Sequence, residues 1–163
     1  MLETLTAGAI AAGRVPDKVR ILDLWSNQRY GAVLFWVDAS LDLYGDGEAV
    51  LVASHGRRSG HDAWTPLGAG GMSTESAERI LDGRPPGLYR LGGGSSDPLR
   101  ITIGIATSDV AVIRLESGEG STDRQPGTDG FFIIGITFND PVTCAYGVGH
   151  AGKSVPGERR LLL

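Results

Sequence analysis

Arg100-Ile101-Thr102-Ile103-Gly104-Ile105 places isoleucine at every second position. A period of two belongs to a strand with one apolar face, because successive side chains point to opposite sides. Downstream, Val110 to Leu115 alternates more loosely. Phe131 to Phe138 is the most apolar strand, and Val142 to Val148 is the last clear one. Upstream, Val19 to Trp25 alternates and Tyr30 to Val37 is dense enough for a central strand. Tyr44-Gly45-Asp46-Gly47 reads as a hairpin turn, since Asp-Gly tolerates the positive φ such turns need. Glu48 to His55 is its return strand, with Val50 and Val52 facing oppositely to Leu51 and Ala53. Asp62 to Leu67 is a short strand, and Leu88 to Leu91 is a strand end before a loop, Gly92 to Pro98.

Two stretches carry helical spacing. Residues 1–13 form one candidate, with Leu2, Leu5, Ala9 and Ala12 on one side and Gly13 as a stop. Ser73 to Leu81 is the other. Ser73 caps it, Ala77, Ile80 and Leu81 make an apolar stripe, and Gly83 with Pro85-Pro86 ends it. Strands and helices do not alternate steadily, which argues against a doubly wound parallel sheet. The expectation is a single, mostly β domain over residues 1–163. An antiparallel β-sandwich comes first and a partly open barrel second, with one or two short helices. Phe131, Ile133, Ile101, Ile103, Leu34, Val50 and Val52 are its candidate core. Residues 117–130 (SGEGSTDRQPGTDG) read as a flexible polar loop.

Composition narrows the function classes. The 25 glycines are about twice the usual share of roughly 7%, as many tight turns would require. A net charge of −4 argues against a nucleic-acid partner, which needs a basic face, and against an electrostatic membrane role. Cys144 is the only cysteine, so no internal disulfide and no cysteine-based zinc finger can form. No apolar run approaches the length of a membrane helix, and no positive charge precedes the mildly apolar Leu5 to Ala12. A soluble, cytoplasmic protein is the default expectation. Arginine outnumbers lysine thirteen to two, the bias of a GC-rich bacterial genome.

The order "apolar strand, acidic turn, strand, Trp-containing strand, Gly-rich loop" runs from Gly31 to Gly71. Asp109 to Ile136 (DVAVIRLESGEG…RQPGTDGFFIIGI) follows a second pattern of strand, polar loop, Asp-Gly and aromatic strand. Both resemble uncharacterised β-sandwich proteins of GC-rich actinobacteria. The resemblance covers about half the chain, implies a sandwich and brings no catalytic residue with it.

The sharpest motif is Gly147-Val148-Gly149-His150-Ala151-Gly152-Lys153-Ser154, which fits the phosphate-binding pattern G-x-x-x-x-G-K-[ST]. That chemistry needs a helix opening behind the loop, and Pro156 and Gly157 follow at once. No nucleotide or other cofactor is expected. Gly68-Ala69-Gly70-Gly71 reads as a flexible connection, with an anion-binding nest as its alternative. His55, His61 and Asp62 could ligate a metal, but Arg57 and Arg58 between the histidines oppose a cation, so no metal is expected. Ser54 and His55 are adjacent in a strand and point to opposite faces, so they make no catalytic pair. Cys144 reads as a buried small hydrophobe rather than a nucleophile paired with His150. The three tryptophans and four tyrosines could line a sugar-binding face, but core packing is the stronger reading, and Trp64 is the one expected on the surface.

No catalytic residue is assigned, and the reading leans away from an enzyme. The first expectation is a non-enzymatic protein-interaction module, with Trp64, His55, His61, Arg57 and Arg58 as candidate partner-binding residues and self-association left open. The alternative is a small enzyme or small-molecule-binding protein whose site is assembled from loops. A flat apolar patch would favour the first, and a cleft with converging polar groups the second.

Overall fold

The computed structural model describes residues 4, 19–37, 50–60, 63–137 and 142–157. The expected N-terminal helix (apart from Thr4), the turn at Tyr44 to Gly47 and the leucines at the C-terminus lie outside those residues. Ten strands and one α-helix are described, so the molecule is mostly β. The strands are β1 (Val19–Ser26), β2 (Tyr30–Val37), β3 (Val50–Arg58), β4 (Trp64–Ser73), β5 (Leu88–Ser96), β6 (Leu99–Ala106), β7 (Val110–Ser117), β8 (Gly120–Arg124), β9 (Phe131–Thr137) and β10 (Val142–Gly149). The helix α1 (Thr74–Leu81) joins β4 to β5. The Ser73 hydroxyl accepts from the Ser76 N–H at 3.2 Å, the cap read from the sequence. Gly83 beyond the helix has φ of 67°, open to glycine and strained for other residues.

The strands form three antiparallel sheets: β1-β2-β3-β4, β5-β6-β9 and β10-β7-β8. These stack as layers, with β5-β6-β9 in the middle. One face of the middle sheet brings Leu91, Leu99, Ile101, Ile103 and Ile133 against Leu22, Leu34, Leu51 and Ala53 of the first sheet. Its other face packs Phe132 and Ile134 with Val110, Ile113 and Ala145 of the third. This double burial accounts for the unbroken apolar run at Phe131. Alternate residues of β9 serve different cores. Gly104 lies opposite Phe132 within the middle sheet, and a methyl group there would fall 2.1 Å from the Phe132 ring, so this position needs glycine. Among the candidate core residues, Leu34, Ile101, Ile103 and Ile133 are buried, Phe131 is half-buried, and Val52 packs on the opposite face of the first sheet with Val33, Phe35 and Val37.

Residues 117–130 are not the structureless loop their polarity suggests. Gly118 and Glu119 make a turn, β8 pairs with β7, and Thr128–Gly130 is a short 3-10 turn. An outer-edge strand needs no apolar face. Here ladder hydrogen bonds and a two-point contact from Arg114 to Asp123 (2.6 and 2.7 Å) take its place.

Arg124, at the end of β8, reaches the point where the three sheets meet. Its guanidinium donates to an Asp23 carboxylate oxygen on β1 and to the Ile133 carbonyl on β9. The same Asp23 oxygen accepts the Ile133 N–H at 2.7 Å. Burial lifts the Asp23 carboxyl above its ordinary value, against the opposing pull of Arg124 and the Ile133 N–H. The carboxylate therefore depends on its partners to stay charged. Asp23→Ala is expected to cost about 3 kcal/mol, the usual loss when one member of a buried pair is removed. Arg124→Ala should cost a similar amount, and the double variant less than the sum, because the two changes delete one shared interaction. Urea unfolding of the four proteins measures this. Additive losses would mean the two side chains act independently.

Candidate functional site

In an antiparallel pair, directly opposed residues share a face. On β3 and β4 the opposed pairs Leu51/Met72, Ala53/Gly70 and His55/Gly68 point toward the middle sheet. On β5 and β6 the pairs Gly92/Ile103, Gly94/Ile101 and Ser96/Leu99 point back toward the first sheet. Where β4 and β5 pass each other, four inward positions are therefore glycine: Gly68, Gly70, Gly92 and Gly94. The two strands run in opposite directions. A methyl group on Gly68 would lie 3.5 Å from the Ser96 Oγ, and one on Gly92 would lie 3.1 Å from the Met72 Cε.

With no side chains to fill it, the space between these strands is a cleft of about 400 Å³. Ala53, Ile101, Ile103 and Met72 supply its apolar lining, and His55 and Ser96 its polar end. The glycines are not all there for backbone reasons. A methyl group on Gly70 meets nothing within 4 Å, and one on Gly94 meets only Ile101 at 3.9 Å, an ordinary contact. Neither residue has the positive φ that would demand glycine.

His55 is 5% exposed, and its Nε2 lies 2.8 Å from the Ser96 Oγ. Its Nδ1 is buried with no hydrogen-bond partner among the described residues. Burial holds the imidazole below its ordinary pKa, so the ring is neutral near pH 7. A neutral ring has one donor nitrogen and one acceptor nitrogen. The Ser96 contact uses one of them.

Of the binding residues expected from the sequence, His55 lines the cleft. Its partner is Ser96, 41 residues away, and not the adjacent Ser54, which lies on the opposite face as the strand period requires. Trp64 is buried, at 8% exposure, with the Arg58 guanidinium 5.4 Å from its ring centre. The expectation of a surface Trp64 fails because Arg58, its register partner on β3, covers it. Arg57 and Arg58 are exposed and do not line the cleft, and His61 and Asp62 lie outside the described residues. Gly68 to Gly71, read as a flexible connection, is the middle of β4, and Gly92 to Ser96, read as a loop, belongs to β5. In both, ladder pairing with β3 or β6 overrides the poor strand propensity of glycine.

The remaining motifs lie elsewhere. Gly147 to Ser154 turns back on itself. Its Gly149 and Gly152 N–H groups donate to Lys153 and Gly149 carbonyls, and Ser154 bridges to Val148. Those amides are consumed within the turn, and no helix follows within the described residues. Cys144 is half-buried rather than buried, and its thiol donates to Glu116, which also accepts from the Tyr146 hydroxyl at 2.7 Å. His150 is exposed, with its ring near the Ser108 carbonyl. Among the described residues no three metal-ligating side chains converge, and no helix is long and apolar enough to cross a membrane.

Comparison of the chain with protein-family models, with curated proteins and with solved structures found no match.

The depressed imidazole pKa makes stability pH-dependent. The unfolded chain's histidine takes up a proton below about pH 6.5, while folded His55 resists protonation to lower pH. The unfolded state then binds more protons, so stability falls as pH drops through that window. Urea midpoints at pH 7.5 and 5.5 should show the loss, and His55→Gln should reduce it. An undiminished loss in His55→Gln would assign the effect to other groups.

Proposed function

We propose that this protein binds a small, mainly apolar molecule carrying one polar group, in the cleft between β4 and β5. The observation that carries this reading is the pair Gly70 and Gly94. Glycine inside a strand costs about 0.5–1 kcal/mol relative to alanine, and neither position requires it. Glycine in a strand interior often marks a place where a ligand or another backbone comes close. The second support is a histidine only 5% exposed, lining the same space, with a ring nitrogen that has no partner among the described residues. The volume fits the reading. Ligand pockets run from roughly 300 to 1,000 Å³, and a cavity of about 150 Å³ suffices for benzene.

A protein partner is the weaker reading. The exposed large hydrophobics among the described residues are Val19, Leu24 and Leu67. Val19 and Leu24 lie on β1 and Leu67 on β4, at opposite edges of a four-stranded sheet. They do not make one docking patch. The site also differs from the expected assembly of loops, since it is built from strand interiors.

Gly70→Val tests the reading, because it fills the cleft at a position where a Cβ meets nothing. The probe is 1-anilinonaphthalene-8-sulfonate, an apolar ring system with one anionic group. Saturable one-to-one fluorescence enhancement is expected with the natural sequence, weakened at least tenfold in Gly70→Val. Gly70→Ala should unfold at higher urea, by about 0.4–1 kcal/mol, through loss of unfolded-state freedom. Equal probe binding by two folded proteins would remove the cleft from consideration.

A further inference from the structure

We infer that Ser96 is a nucleophile, activated by His55, that reacts with carboxylic esters small enough to enter the cleft. The inference rests on the cleft being a ligand site and assigns it a chemistry. Serine hydroxyls are weak nucleophiles unless a base within hydrogen-bond reach takes the proton, and the His55 Nε2 lies 2.8 Å from the Ser96 Oγ. The two groups come from different sheets, β3 and β5, and meet at the polar end of a cavity with an apolar floor. Ser96 is half-buried and the imidazole almost wholly so. Such a pair has an approach for substrate from the cleft side and a base shielded from water. A neutral His55 with its proton on Nδ1 has the free Nε2 lone pair that general-base catalysis requires.

The chemistry balances with water as co-reactant. The Ser96 hydroxyl proton passes to the His55 Nε2 as Oγ bonds to the ester carbonyl carbon. The carbon–oxygen bond to the alcohol then breaks, and the departing alkoxide takes the proton from His55. Water next gives a proton to the His55 Nε2 while its oxygen attacks the acyl carbon. The bond to Oγ breaks, His55 reprotonates Ser96, and the carboxylic acid leaves. Both flanking strands are sheet edges, with no strand beyond β4 or β5 among the described residues.

Among the described residues one member of a full triad is missing, since no carboxylate meets the buried Nδ1. Losing the carboxylate's contribution costs about 10⁴ in kcat in a serine protease. Turnover should be correspondingly slow, so covalent capture is the sensitive readout. The probe is an alkyl fluorophosphonate, in which Oγ displaces fluoride at phosphorus and the hydroxyl proton leaves with it. Stoichiometric labelling is expected, located by peptide mapping to the peptide holding Ser96. It should be absent in Ser96→Ala, slowed at least about a hundredfold in His55→Gln, and blocked in Gly70→Val. A cooperative urea transition shows that each variant folds, and the mapping on the natural sequence needs no variant. No labelling at Ser96 while the anilinonaphthalene probe still binds would overturn the nucleophile and leave the cleft standing. Failure of both would overturn both. Labelling that His55→Gln leaves at full rate, or that maps to another serine, would also overturn the inference.

Discussion

Asp23 sits where three sheets converge, and one of its carboxylate oxygens accepts from two of them, through the Ile133 N–H and the Arg124 guanidinium. A charge in that position is costly unless every partner is present, and burial does raise the energy of its ionised form. The arrangement makes the stacking of the layers specific. Hydrophobic contact alone would let two sheets slide, because burial is non-directional, whereas a carboxylate shared between a guanidinium and a backbone amide has one geometry. The register of β1 shifts between Ile21 and Asp23, an irregularity that ends at this residue.

The location of this contact explains why the cleft opens where it does. β1 lies against β9, so the first and middle sheets are pinned along that side. The opposite side belongs to β4 and β5. There the inward positions are glycines, and at Gly70 and Gly94, where a Cβ would meet no close contact, an aliphatic side chain that would fill the space is forgone. Sheets fastened on one side and unfilled on the other enclose a wedge-shaped space. The histidine and serine stand at the end of that wedge where Gly68 passes close to the imidazole.

Much of the fold was legible because its signals are local. The alternation at Ile101, Ile103 and Ile105, the strongly apolar character of β9 and the Ser73 cap each follow from residues within one element. The cleft was hidden for the opposite reason. Gly68 to Gly71 and Gly92 to Gly94 carry no periodicity, so their strand character exists only through pairing with β3 and β6. The meeting of His55 with Ser96 depends on two sheets facing each other, and no spacing along the chain encodes it. Polarity misled at β8, where an edge strand held by Arg114, Asp123 and Arg124 reads as a loop. Trp64 misled in the other direction, since its short polar strand gave no sign that Arg58 would cover it.

The same glycines bear on how copies of this chain meet one another in concentrated solution. Exposed strand edges are templates for fibrils, which grow when identical side chains interlock between stacked strands. Among the described residues no strand lies beyond β4 or β5, and three glycines in each leave gaps where side chains would interlock. Pro66 on β4 also lacks the N–H that a docking strand would seek. The glycines that leave the cleft unfilled thereby also make these edges poor seeds for a fibre.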